Sequence, residues 1–117
     1  MKLSDLAARQ GWENLTPELN QESDADITRG YVSDLLSDVL ANAPAGGVLV
    51  TIQTHLNVVA VAVHAGLAGV VFAAGRRPEE AVRRKAVEEK LPLFVSTRSA
   101  FAVVGELYEL GVRGPDA

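Results

Sequence analysis

Val48-Leu49-Val50-Thr51-Ile52, then Asn57 to His64 as Asn-Val-Val-Ala-Val-Ala-Val-His, then Gly69-Val70-Val71-Phe72-Ala73-Ala74: this stretch decides the fold. The first and last pieces are short apolar runs rich in β-branched residues. Such runs read as strands buried on both faces. The middle piece is ambiguous. Its alternation would suit a strand, but it follows directly on a strand through His55-Leu56, and Ala65-Gly66 resembles a helix stop. We therefore expect a helix over 57–64. Read without its interruptions, Leu56 to Ala74 could pass for a spanning helix of about 20 residues. Asn57, His64, Gly66 and Gly69 argue instead for a buried helix, a turn and a buried strand.

Working outward, the pattern repeats. Ser33-Asp34 reads as a cap pair before Leu35, Leu36, Val39, Leu40 and Ala43, which recur at helical spacing. Asn42 to Gly47, with Pro44, stops that helix. Pro78 to Lys90 carries Glu79 and Glu80 in its first turn and Arg83, Arg84, Lys85 and Lys90 later. That charge order suits the helix dipole. Leu93-Phe94-Val95 is a third strand, entered through Pro92. Ser99 to Leu110 is a last helix, with Phe101, Val104, Leu107 and Tyr108 on one face and Gly111 as its stop. Toward the N-terminus, Leu3 to Ala8 reads as a short helix with Ser4 as cap and Gly11 as its end. A polar connector, Glu13 to Asp26, follows, with Trp12 and Leu15 starting a short strand. Ile27 to Val32 is another short strand or extended loop, broken at Gly30. The expectation is an α/β fold: a small three-layer domain whose mostly parallel sheet is covered by helices on both faces. One domain over 1–113 and a flexible tail over 114–117 complete it.

The composition narrows the function. The 117 residues hold no cysteine, so there is neither a disulfide framework nor a thiolate metal cage. Formal net charge is −4, which disfavours an electrostatic grip on nucleic acid or on an anionic membrane. Met1 to Gln10 has no uninterrupted apolar core and is no signal peptide. The expected compartment is a reducing cytoplasm. No phosphate-loop or dinucleotide fingerprint is present, and no cofactor is expected. The two histidines are nine apart, the wrong spacing for a metalloprotease helix. Ser33, Asp34 and His55 carry little weight as a triad.

In open parallel sheets, ligands sit beyond the carboxyl ends of the strands. Three such ends are polar: Gln53, Thr54, His55 and Asn57 after the first strand, Gly75 and Arg76 after the second, and Ser96, Thr97 and Arg98 after the third. Each precedes a helix N-terminus, where free amides favour anions. Each group also has a plain reading. Thr54 and Ser99 fit helix caps. Arg76 and Arg77 fit loop charges paired with Glu79 or Glu80. The His55 ring fits a bond to a neighbouring carbonyl, and His64 fits a structural residue.

Residues 24–110 resemble the DRTGG domain. The resemblance rests on Thr28 to Leu40, on Val50 to Ala62 with its Thr-Ile-Gln-Thr-His run, on Gly75 and Pro78, and on Leu91-Pro92-Leu93. Asp24 or Asp26, Thr28 and Gly30 stand at the namesake letters, with Arg29 where a glycine is expected. The likeness extends to proteins similar to the N-terminal domain of HPr kinase/phosphorylase. It implies a regulatory or dimer-forming module, of the kind attached to CBS segments and phosphotransacetylases. It implies that any kinase chemistry belongs to a different domain. The resulting expectation is a non-catalytic, homodimeric module that senses a small anionic metabolite or nucleotide. The apolar helix after residue 56 supplies the excess surface for the dimer. The alternatives are an adaptor that docks a separately encoded enzyme partner without a small ligand, and an enzyme using His55 as general base.

Overall fold

The computed structural model describes residues 1–19 and 24–116. Part of the polar connector, 20–23, and the last residue of the tail therefore lie outside the described residues. Among the described residues there are ten elements. They are α1 (Leu3–Gln10), β1 (Glu13–Asn14), β2 (Gly30–Val32), α2 (Leu36–Asn42), β3 (Val48–Thr51), α3 (Asn57–His64), β4 (Gly69–Phe72), α4 (Glu80–Glu88), β5 (Leu93–Val95) and α5 (Ala100–Glu109).

The five strands form one sheet in the order β1-β5-β4-β3-β2. Strands β2 to β5 are mutually parallel, and only the two-residue edge strand β1 runs against its neighbour. Every residue of β3, β4 and β5 is buried. Their side chains alternate between two apolar cores. Leu49, Val70, Phe72, Leu93 and Val95 face α2, α3 and α4. Val48, Val50, Val71, Ala73 and Phe94 face α1 and α5. Burying each such Val, Leu or Phe contributes about 1.5–3 kcal/mol before the entropy of ordering it is counted. The helix at 57–64 is present despite its β-branched residues. Its Val58, Val59 and Ala62 are buried in the first core, where tertiary packing outweighs local propensity.

Four local expectations need correction. Ser33-Asp34 does not cap α2: the helix opens at Leu36 with no side-chain cap. Ser33 Oγ instead accepts from the Leu35 amide at 3.2 Å, and Asp34 turns toward β3. Gly30 does not break the strand but begins it. A Cβ there would sit 3.2 Å from Val112 Cγ1, so the bare backbone lets the chain after α5 approach closely. On α5 the expected face is split: Leu107 is buried together with Val103, Val104 packs partly against the same core, and Phe101 and Tyr108 are left 91% and 60% exposed. The helix carries two adjacent apolar rows, and only one faces the sheet. Finally, much of the apolar surface of α3 is covered within the chain.

Trp12 and Leu15 flank β1 as expected. They enter opposite cores, and the Trp12 ring lies tilted against Phe94 with centroids 5.8 Å apart. Among the described residues, no helix is long and apolar enough to cross a membrane.

Candidate functional site

The register Thr51↔Phe72↔Val95 brings the ends of β3, β4 and β5 to one edge of the sheet. A hydrogen-bonded belt runs along that edge. The Thr51 hydroxyl and the Ile52 amide both donate to Asp34 Oδ1, at 2.9 and 2.8 Å. The Ala73 amide donates to the Thr51 carbonyl at 2.9 Å. The Ala74 amide donates to the Arg98 carbonyl and the Gly75 amide to the Ser96 carbonyl, at 2.6 and 2.8 Å. The segments after β4 and β5 therefore meet directly, and the segment after β3 starts from the same edge. Their juxtaposition is also where the chain changes faces: β4 leads into α4 on the first core, β5 into α5 on the second. Adjacent strands whose connections leave to opposite faces open a crevice at their carboxyl ends.

The belt also spends donors. The Gln53 amide donates to Thr51 Oγ1 at 3.0 Å, and the His55 amide to Gln53 Oε1 at 3.1 Å. The Asn57 amide donates to His55 Nδ1 at 3.1 Å, and the Arg98 amide to Ser96 Oγ at 3.1 Å. Ser99 Oγ accepts from the Ala102 amide at 3.2 Å, a true cap of α5. Thr54 does not cap α3, which opens without a side-chain cap. The His55 ring accepts an amide rather than donating to a carbonyl, as its plain reading had it. That bond fixes the neutral ring with its proton on Nε2. Many amides that could cradle an anion are thus already engaged, so side chains must supply most of any ligand contact here.

The cations divide unequally. Arg77 is paired with Glu13 across to the edge strand, not with Glu79 or Glu80. Arg77's hydrogen bond holds the Glu13 carboxyl below its ordinary range. Glu80 is taken by Arg83, which also reaches Glu18 at 2.7 Å and ties the connector onto α4. Arg98 Nη1 lies 3.0 Å from Glu106 Oε1. Arg76 is exposed and forms no ion pair among the described residues. Of the arginines at this edge, Arg76, Arg77 and Arg98, it is the one most open to a ligand. Gly75 serves the backbone: its φ is +67°, directly after Ala74 at +57°. A left-handed residue other than glycine costs about 1 kcal/mol and is worth attention at a loop of this kind. Gln53 and Thr54 are half-buried, His55, Asn57 and Thr97 exposed, and Ser96 buried.

Two features escaped the sequence reading. Asp34 binds the β3 end and so joins the belt. A cleft of about 620 Å³ lies elsewhere, between β2, α5 and the chain after it. None of the nine site residues expected from the sequence lines it.

No family model matches the chain, and no curated protein matches it. Among solved structures, the chain is similar to the CBS and DRTGG domains of the regulatory region of Clostridium perfringens pyrophosphatase, complexed with the activator diadenosine tetraphosphate. The TM-score is 0.70 at 10% identity, over 90% of this chain. This chain spans 45% of the length of that one. The likeness is one of fold, and it supports a DRTGG-like fold. It gives no support to a likeness with HPr kinase/phosphorylase.

Proposed function

We propose that the chain is a non-catalytic regulatory module that senses a small anionic metabolite or nucleotide at the carboxyl edge of its sheet. The observation that carries the reading is the arrival of three polar strand ends at one edge, where β4 and β5 send their connections to opposite faces. Arg76 would anchor the anion, with Thr54, Thr97 and Arg98 around it. Gln53, His55, Asn57, Gly75 and Ser96 hold the loops in shape. The fold shared with a regulatory region that was solved with a nucleotide activator supports the same reading.

A catalytic role for His55 has less support. Its Nδ1 lone pair is engaged by the Asn57 amide, so the neutral ring presents a proton, not a base, at Nε2. We also propose a homodimer in a reducing cytoplasm. The support for a dimer is the large apolar side chains left in solvent: Leu35 is 65%, Leu56 49% and Phe101 91% exposed. Exposed apolar surface of this kind marks interfaces when a partner covers it.

Thermal unfolding against a panel of nucleotides and phosphorylated metabolites tests the sensor. A ligand of the folded state raises Tm in proportion to RT ln(1 + [L]/Kd). A shift that Arg76→Gln removes supports the reading. No shift across the panel favours an adaptor that docks an enzyme partner. A sedimentation experiment showing only monomer at micromolar concentration would refute the dimer.

A further inference from the structure

We infer that the cleft beside β2 is a second small-molecule site, built for a compact amphiphilic acid: an apolar or aromatic body bearing one carboxylate. The inference does not depend on the ligand proposed at the carboxyl edge. A volume of about 620 Å³ falls within the range of pockets that enclose small ligands. Its walls include Val32, Val50, Val104, Leu107 and Val112. Val32 at the mouth is 49% exposed, and Tyr108 more so. An apolar occupant would remove that surface from water.

The charged groups select the occupant's head. The Arg113 guanidinium lies over the Tyr108 ring, 3.8 Å from its centroid. Its Nη1 donates to the Tyr108 and Val112 carbonyls at 2.8 and 3.1 Å. Among the described residues, Nη2 and Nε make no hydrogen bond, so donors remain on a planar group already held in place. Such a group suits a carboxylate. On the other side, the Tyr31 hydroxyl donates to both oxygens of Asp38, at 2.8 and 2.9 Å. The Asn42 amide adds a third bond to that carboxylate, at 2.8 Å. Asp38 does not line the cleft and is occupied by two residues that do, but its charge remains behind them, and Asp116 lines the cleft directly. A single carboxylate can offset the repulsion of the two acidic groups by pairing with the one guanidinium, whereas a polyphosphate brings several charges for which the cleft holds no cation. The cleft thus discriminates against nucleotides, the most highly charged of the ligands proposed at the other edge.

A ¹H–¹⁵N NMR titration of the full chain tests this with 4-phenylbutyrate, its neutral primary amide, and ATP. Saturable shifts should appear with the acid at the amides of Val32, Val104, Tyr108 and Val112. The amide analogue should bind about tenfold more weakly, and so should the acid to Arg113→Gln. Val104→Trp should fill the cleft and abolish binding. If that variant does not fold, Arg113→Gln, which alters a partly exposed side chain, decides the matter. Arg76→Gln should leave binding of the acid unchanged. The proposal is overturned if the acid produces no saturable shifts, if shifts fall only on residues 53–57, 74–77 and 96–99, or if the amide binds as tightly as the acid. It is also overturned if ATP occupies the cleft as tightly as the acid does.

Discussion

The carboxyl edge of the sheet and the cleft beside β2 are opposites in construction. The edge is polar and stitched together by its own hydrogen bonds, from Asp34 through Thr51 and Ala73 to Ser96 and Arg98. The cleft is hollow and mostly apolar, with one stacked guanidinium on its wall. Their difference teaches where binding energy can come from. An edge whose amides are largely engaged binds through a few side chains and holds them steady. An apolar cleft binds by removing surface from water and uses polar groups only to choose among occupants.

The largest expected effect removes what the two regions share. Phe72 is fully buried at the end of β4. Phe72→Ala should cost about 3–5 kcal/mol in urea denaturation, and both regions should lose their order with the core. A loss well below that would mean the core collapses around the gap. Asp34→Ala comes next. It leaves the Ile52 amide and the Thr51 hydroxyl without their acceptor and should cost about 1–3 kcal/mol. Its amide shifts should spread along residues 51–57 and 73–75 and leave 104–113 unchanged. Equal shifts in the cleft would mean that the two regions are one cooperative unit. Smaller again is Gly75→Ala, which forces a second consecutive left-handed residue and should cost about 1 kcal/mol. Ala74→Gly should be close to neutral, because relief of strain offsets added chain freedom.

Acid reaches both regions. Hydrogen bonds from Arg77, Arg83 and Asn42 hold Glu13, Glu18, Glu80 and Asp38 below their ordinary carboxyl ranges. Each of these groups binds its proton less tightly folded than unfolded. The stability they contribute is present above the ordinary carboxylate range and is lost as pH falls through the lowered folded values. The groups are solvated, so the effect should be modest. Tm measured from neutral pH down through that range should fall, and the fall should be shallower in Arg83→Met. An unchanged profile in that variant would remove Arg83 as the cause.

The order of elements was legible because strands buried on both faces must be continuously apolar, as 48–52 and 69–74 are. Helix 57–64 was legible only from its place between two strands. The three polar strand ends were legible because parallel strands finish on one edge. The rest depends on distant parts of the chain. Asp34 carries a local cap signature, yet its partners lie 17 and 18 residues on. The buried row of α5 is chosen by the sheet beneath it, so Phe101 reads as core and sits in solvent. The cleft draws on residues 30–32 and 104–116, and no local pattern joins them.

Amide chemical shifts recorded while ATP is titrated into the full chain test the sensor reading most directly. Saturable changes should concentrate at 53–57, 74–77 and 96–99 and should vanish in Arg76→Gln. Changes confined to 104–113, or none at all up to millimolar nucleotide, would contradict it.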